Sequence, residues 1–405
     1  MRDADHDHEH DHARAAARFE RVRQHSLMLA EPLSDEDCGA QSMLDASPVK
    51  WHLAHTTWFF ETFILERHEA AFAAFHPAFR MLFNSYYNGI GERHPRAQRG
   101  LLTRPSMREV RAYRANVDAR MLRLLDGCAD AALTALVELG CQHEQQHQEL
   151  ILTDVKHLLA HNAMYPVYSA AAPHPRAPRG TARWVRFDGG LVEIGHRGDG
   201  FCFDNELPRH RQYVAPFALA SQLVTNGDYL AFIDAGGYAD AALWLAEGWD
   251  CVQSQGLTHP LYWERDGSGA WQQFTLQGLQ RIDMAAPVTH LSLYEAAAYA
   301  QWAGARLPTE AEWELAATLH DGAAGSAVEQ LYDHCWQWTS SSYAAYPGYA
   351  SAPGALGEYN GKFMLNQYVL RGSSCATPAG HARASYRNFF PAGARWQFSG
   401  VRLAR

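Results

Sequence analysis

The sequence predicts a two-domain α+β protein, a four-helix bundle followed by an irregular domain of short strands and helices. Three observations carry this reading. Apolar residues recur at helical spacing from residue 13 to about 165. A stretch rich in proline and small residues, 169–180, then interrupts the pattern. Beyond it, short β-like runs alternate with glycines and scattered tryptophans, with no internal repeat. The expected boundaries are an unfolded tail at 1–14, the bundle at 15–168, a semi-rigid linker at 169–182 and the second domain at 183–405.

At 405 residues, each domain is long enough to bury its own core. Hydrophobic residues at 47% and charged residues at 20% describe an ordinary globular protein. The net charge of −9 argues against a nucleic-acid surface, which needs concentrated Lys and Arg. No apolar run reaches membrane-spanning length and the first residues lack the apolar core of a secretion signal, so no membrane partner is expected. The 7 cysteines are scattered, odd in number and without a C-x-x-C pair, which points to the cytoplasm. The tract Asp5-His-Asp-His-Glu-His-Asp-His12 contains no apolar residue to fold around, and is expected to be a disordered, weakly metal-binding tail.

Within the bundle, Phe19, Val22, His25, Leu27, Leu29 and Leu33 form the stripe of a first helix. Ser47 before Pro48 reads as an N-cap with proline at the first helical position. It opens a second helix through Trp51, Leu53, Phe59, Phe60, Phe63 and Leu65. A third is expected at about 107–125, with charges of alternating sign outward, and a fourth at 131–161. The long loop from Asn84 to Arg96 interrupts them, and a loop of that length in a compact domain is more often functional than idle.

Two histidine motifs fall on these helices: Trp51-His-Leu-Ala-His55 on the second and His143-Glu-Gln-Gln-His147-Gln-Glu149 on the fourth. Residues at i and i+4 share a helix face, so His143 and His147 reach one metal ion. A histidine from a neighbouring helix completes a three-nitrogen face that leaves coordination positions open. His52 and His55 lie on nearly the same face, and spacing alone leaves either as that third ligand. The pair also fits the H-E-x-x-H pattern of zinc proteases. The residues after His147 argue against a protease. Its extended form needs glycine and histidine where this chain has Leu150 and Thr153, and no glutamate occurs between Glu149 and Glu193 to supply a third ligand. A solvated histidine pair is the plainer alternative, weakened by Leu150, Ile151, Leu152 and Val155, which bury the helix and oblige buried imidazoles to find partners. Glu149, roughly 200° around the helix from His147, suits a hydrogen-bonding partner of a ligand or a structural salt bridge.

In the second half, Trp184-Val-Arg-Phe187, Gly190-Leu-Val-Glu-Ile-Gly195 and Gln212-Tyr-Val-Ala-Pro-Phe217 read as strands, with two short helices near 225–235 and 292–302. The second of these runs, with Asp204-Asn-Glu-Leu-Pro-Arg-His210, Arg306-Leu-Pro-Thr-Glu-Ala-Glu-Trp313, Trp336-Gln-Trp338, Leu370-Arg-Gly372 and Phe398-Ser-Gly-Val-Arg-Leu403, resembles the formylglycine-generating-enzyme type of C-type-lectin-like domain. The activity of that family does not carry over. It binds copper through two cysteines near the C-terminus, where this chain has Ser385-Tyr386-Arg387-Asn388-Phe389-Phe390 and only Cys375, read as a packed thiol. Trp336-Gln-Trp338 departs from the usual Trp-Glu-Trp and is read as a structural variation.

Joined to a helical half with W-x-x-x-H and H-x-x-Q-H-x-E, this domain makes residues 15–405 resemble the ergothioneine-type (EgtB-like) sulfoxide synthases, a DinB-like four-helix domain followed by the lectin-like one. The resemblance implies that His55, His143 and His147 hold a non-haem Fe(II), with His55 favoured over His52, which becomes a hydrogen-bonded core histidine. It implies an oxidoreductase that uses O2 to join C2 of hercynine (Nα-trimethylhistidine) to a thiol sulfur and oxidise that sulfur to a sulfoxide, in ergothioneine biosynthesis. Ferrous iron suits this because it passes electrons to oxygen, which d10 zinc does not. Gln146 and Asn388 are implied to hold the trimethylammonium end. Phe389 and Phe390 either offer it aromatic faces or only fill a core. Tyr86 and Tyr87 resemble a tyrosine pair of one branch, where a phenol donates a proton to reduced oxygen and favours sulfur–carbon coupling over thiol dioxygenation. An exposed aromatic loop that merely packs is the plainer alternative.

The branch that uses γ-glutamylcysteine carries an aspartate two residues after the asparagine matching Asn388 and an arginine six after it. Phe390 and Ala394 stand at those offsets here, and Arg395 is displaced by one. Cysteine is therefore the expected donor, its carboxylate met by Arg93, Arg96 or Arg395. Two alternatives stay open at this point. One is a selenoneine synthase of the same architecture, joining a selenosugar to hercynine. The other is a non-catalytic ligand-binding scaffold, which would need neither the ligand trio nor Gln146 and the tyrosine pair.

Overall fold

The computed structural model describes residues 2–126, 130–178, 180–320, 327–358 and 360–405, with side chains from Arg14 onward except 355 and 358. The chain separates into two compact units, Met1–Tyr168 and Ser169–Pro353 with Gly357–Arg405. The first is the expected bundle, built on α1 (Arg2–Ala30), α2 (Val49–Phe60), α3 (Met107–Leu125) and α4 (Ala131–Ala160). Ser106 and Glu109 form a capping box ahead of α3, and Asp130 caps α4 by accepting from the Ala132 amide.

Two ends differ from expectation. The backbone of α1 runs back through the His/Asp tract expected to be unfolded; the side chains of that tract lie outside the described residues. With Phe19 and Val22 buried in the bundle, each residue added to the helix gains a hydrogen bond without repeating the nucleation cost. At α2, Pro48 takes the N-cap position and Ser47 lies one residue outside it. The Ser47 amide donates to Asp154 (2.8 Å) and its hydroxyl accepts from Arg99 (2.8 Å), so it tethers the helix start sideways instead of capping it. Every residue of α2 is buried, and the helix runs on into a π-helical turn, Glu61–Leu65.

The bundle closes on one carboxylate. Glu144, wholly buried on α4, accepts from Arg23 (2.9 Å) and Ser26 (2.5 Å) of α1 and from Arg114 of α3. Arg23 also pairs with Asp118 (2.6 Å) and donates to Thr57 of α2 (2.9 Å), while Arg114 donates to Thr56 (3.2 Å). Burial by itself would raise the Glu144 pKa, but Arg114 and Arg23 outweigh it and hold the carboxyl at about 2.

In the second unit, the stretch expected to be a linker is fastened down. The Ser169 amide donates to the Leu276 carbonyl (3.1 Å), Gln277 to the Ala172 carbonyl (2.9 Å), Gln330 to that of Arg176 (2.9 Å) and Gln222 to that of Gly180 (2.6 Å). Proline-rich backbone has few donors of its own, and glutamine amides supply them from outside. The strands form small sheets. β1 (Trp184–Phe187) pairs with β4 (Phe217–Ala220), and β2 (Gly190–Ile194) with β3 (His210–Val214). β5 (Trp263–Arg265), β6 (Trp271–Thr275) and β7 (Gly278–Arg281) form a meander. A four-stranded sheet runs β10 (Asn388–Phe390), β9 (Tyr368–Arg371), β8 (Trp336–Ser342), β11 (Ser399–Gly400). The run 212–217 expected as one strand is two, parted at Ala215-Pro216.

Thr225 and Ser292 cap the two expected helices, Asn226–Asp234 and Leu293–Trp302. Two others, Ala246–Gln255 and Glu310–His320, were not expected, although Thr309 and Glu312 form a capping box that the sequence spells out. Gln337, the departure from Trp-Glu-Trp, is a buried hub. Its oxygen accepts from Trp313 (2.7 Å) and Arg402 (2.7 Å), and its nitrogen donates to the Leu331 carbonyl (2.8 Å), which a carboxylate could not do. Gly372 leaves room for it: a Cβ there would meet the Leu331 carbonyl at 2.4 Å and the Gln337 amide at 2.7 Å. Among the described residues no helix is long and apolar enough to cross a membrane.

Replacing Glu144 with glutamine leaves the buried Arg114 guanidinium without a paired carboxylate and Arg23 with Asp118 alone, and urea titration is expected to read a loss of about 3–5 kcal/mol. Because the folded carboxyl lies below its usual value near 4.5, its contribution is complete above that pH and drains as acid is added toward pH 2. The glutamine variant is expected to lose that part of the acid dependence.

Candidate metal centre

His55 on α2 and His143 and His147 on α4 converge. One nitrogen of each lies within 4.8 Å of the others, and the Nε2 atoms of His55 and His143 are 3.2 Å apart. Ligand nitrogens at metal bond lengths sit roughly 3 Å from one another, so the spacing fits a shared cation. The tautomers fit as well. The Phe83 carbonyl can only accept, so His55 donates to it through Nδ1 (2.6 Å) and leaves Nε2 as a lone pair. Burial, above all else, lowers the pKa of all three rings, that of His143 to about 3, which keeps them neutral and ready to ligate.

The packing holds the rings in place. His55 lies between two indoles, stacked on Trp51 (4.5 Å, 12°) and facing Trp58 (5.5 Å, 18°), and Arg99 covers the far face of Trp51 at 3.3 Å. His52, the competing third ligand, is instead a hydrogen-bonded core histidine. Its Nδ1 is 2.8 Å from His147 Nδ1 and its Nε2 3.0 Å from Asp154. Gly140, one turn before His143, lets α4 approach α2: a Cβ there would fall 2.6 Å from the Phe60 ring and 3.1 Å from that of Phe59. Glu144, the position of a general base in H-E-x-x-H proteases, is locked between arginines away from the histidine face.

The long loop folds around Asn84, whose side-chain nitrogen donates to the carbonyls of Tyr87 (3.0 Å), Gly91 (3.2 Å) and Glu92 (3.3 Å). Tyr87 is thereby buried against Trp58 (5.6 Å) and Phe63 (5.1 Å), with Tyr86 half-buried beside it (4.6 Å). Arg93 donates to the Ser85 carbonyl (3.3 Å) and Arg96 to that of Asp45. Burial, then the like charge of Arg96, pulls the Arg99 pKa well below its ordinary range. Gln146 is half-buried on α4 next to His147, and Glu149 is buried.

Four candidate residues belong to the second unit. Asn388, Phe389 and Phe390 form the edge strand β10; Phe389 stacks on Tyr343 (4.1 Å, 10°) and Phe390 meets Trp396 edge-on (6.4 Å). Arg395 holds the buried Glu295 through two 2.8 Å bonds, and this ion pair occupies the guanidinium expected for a substrate carboxylate. Sequence reasoning missed the tethering role of Asp154 and the stacking of Arg99. Asp154 lies seven residues past His147, two turns along one face, and that spacing was the available signal.

A model of the DinB superfamily matches residues 18–165, and one of the sulfatase-modifying factor enzyme 1-like domain matches residues 169–333. The hercynine oxygenase of Mycobacterium tuberculosis is 31% identical, over 96% of this chain and 98% of its own. The chain belongs to the hercynine oxygenase family. The hercynine oxygenase of Mycolicibacterium thermoresistibile is 30% identical, over 88% of this chain and 87% of its own. The formylglycine-generating enzyme of Streptomyces coelicolor is 37% identical, but over only 39% of this chain. The hercynine oxygenase family is one of oxidoreductases, and in this member the histidine trio sits in the DinB-like half.

Gly140→Val is expected to lower stability by about 1–3 kcal/mol through overpacking against Phe60, and to weaken cobalt binding by parting the two ligand helices. Unchanged unfolding and unchanged cobalt affinity would show that the centre does not depend on this contact.

Proposed function

We propose that the protein is a non-haem Fe(II) sulfoxide synthase that joins hercynine to cysteine with O2. The observation that supports this most directly is the convergence of His55, His143 and His147 in a chain related to hercynine oxygenases over nearly its full length. The reaction balances: hercynine C2–H and cysteine S–H give up their hydrogens, a C–S bond forms, one oxygen atom ends on sulfur and the other in water. Iron supplies the electron transfer to oxygen that this needs.

The protein's own groups bind and steer. Gln146 offers an amide dipole to the trimethylammonium group, which has no conventional donor, and Asn388, Phe389 and Phe390 are proposed to complete that recognition. Arg93 and Arg96, whose guanidiniums donate to backbone carbonyls, are proposed to meet the carboxylate of the thiol. Arg395 is left out of this set, because Glu295 already occupies it. The Tyr86–Tyr87 pair is proposed to supply the phenolic proton. The absence of charge at Phe390 and Ala394 favours free cysteine, since a γ-glutamyl arm would be desolvated there without a partner.

Anaerobically loaded protein is expected to bind one Fe(II) and to consume O2 only with both hercynine and cysteine. Its kcat/KM for cysteine is expected to exceed that for γ-glutamylcysteine by on the order of 10²-fold. A clear preference for the dipeptide would overturn the donor assignment, and turnover with a selenosugar in place of either thiol would make the protein a selenoneine synthase.

Phenylalanine at Tyr86 or Tyr87 is expected to slow turnover or divert it toward the sulfinic acid of cysteine, with hercynine affinity little changed. Wild-type rate and product ratio in both single variants would remove the tyrosines from the reaction.

A further inference from the structure

We infer that Asp154 and His52 form a hydrogen-bond relay that fixes the tautomer of His147 and so sets the affinity of the centre for its metal. The inference rests on the metal-binding reading above, and His52 and Asp154 enter it as positioning residues. Asp154 lies on α4 two turns beyond His147, and His52 lies on α2 one turn before His55. The relay therefore crosses between the two ligand helices. Its far end is anchored, because the Ser47 amide donates to the same carboxylate oxygen, Oδ2, that faces His52.

The direction of each bond follows from what each group can do. An ionised carboxylate only accepts, so at 3.0 Å the ring proton of His52 is on Nε2. With that proton placed, His52 Nδ1 carries a lone pair. His147 Nδ1 is 2.8 Å from it, and a contact that short between two ring nitrogens requires one proton between them. That proton belongs to His147. Its Nε2 is then the bare nitrogen, the one left for the metal. One carboxylate thus determines, through one intervening imidazole, which nitrogen of a ligand is available. A metal-bound histidine commonly donates its other N–H to a carboxylate or carbonyl. His55 uses the Phe83 carbonyl directly, whereas His147 reaches its carboxylate through a second histidine.

Two measurements on the full chain test this. In metal-free wild-type protein with 15N-labelled histidine, long-range 1H–15N correlation is expected to show His147 protonated at Nδ1. In Asp154→Ala and in the space-filling His52→Phe, the two tautomers are expected to mix. Competition with a chelator is expected to show Co(II) affinity falling roughly 10- to 100-fold in both variants. In Asp154→Asn most of it should be retained, since Ser47 orients the amide oxygen toward His52. A wild-type His147 protonated at Nε2, or wild-type Co(II) affinity in folded Asp154→Ala and His52→Phe, overturns the relay. His55→Ala separates the two levels: if it abolishes Co(II) binding while both relay variants keep it, the centre stands and the relay falls. If the wild-type protein binds no Co(II), the metal centre falls and takes the relay with it.

Discussion

The carboxylate of Glu144 accepts from Arg23, Arg114 and Ser26, and the two guanidiniums reach on to Thr56, Thr57 and Asp118, so one buried charge joins all four long helices. Two arginines flanking one glutamate would be a poor arrangement without Asp118 to share the excess positive charge. A buried ion network of this kind contributes less to net stability than its bond count suggests, because desolvation cancels much of the attraction. What it does impose is a geometry. Glu144 immediately follows His143, so fixing its side chain fixes the rotation of α4, and with it the direction in which both ligand histidines point.

The candidate metal centre is built from neutral donors in a positive neighbourhood. No carboxylate belongs to the trio, and Arg99 stands one indole away from His55. A divalent ion held by three imidazoles keeps its whole charge, and the arginines beside it reinforce the pull on anions. That combination suits the thiolate and carboxylate of the proposed co-substrate. The hydrogen bond from His55 to the Phe83 carbonyl points the same way, since it leaves Nε2 of His55 as a lone pair.

Much of this was legible in the sequence, and the exceptions have physical causes. The i, i+4 spacing of His143 and His147 marked a helix face, and the helices expected at about 107–125, 225–235 and 292–302 start where Ser106, Thr225 and Ser292 cap them. Composition gave an expected boundary at 168, and the two compact units divide after Tyr168. Ser47 misled because its capping chemistry was drawn off by tertiary partners, Asp154 and Arg99, that no local pattern reveals. The linker misled for a related reason: proline content describes the stiffness of a backbone but not whether distant glutamines will bind its carbonyls. Arg395 looked available because its charge partner, Glu295, lies 100 positions away.

The column Arg99, Trp51, His55, Trp58 has a further consequence. Two indoles lie in ring contact with a ligating imidazole, so an ion with unpaired electrons on that imidazole would shorten the lifetime of their excited states. The guanidinium over Trp51 biases the same indole by shifting the energy of its charge-separated excited state. Metal binding as proposed would therefore be readable from this indole pair without any label.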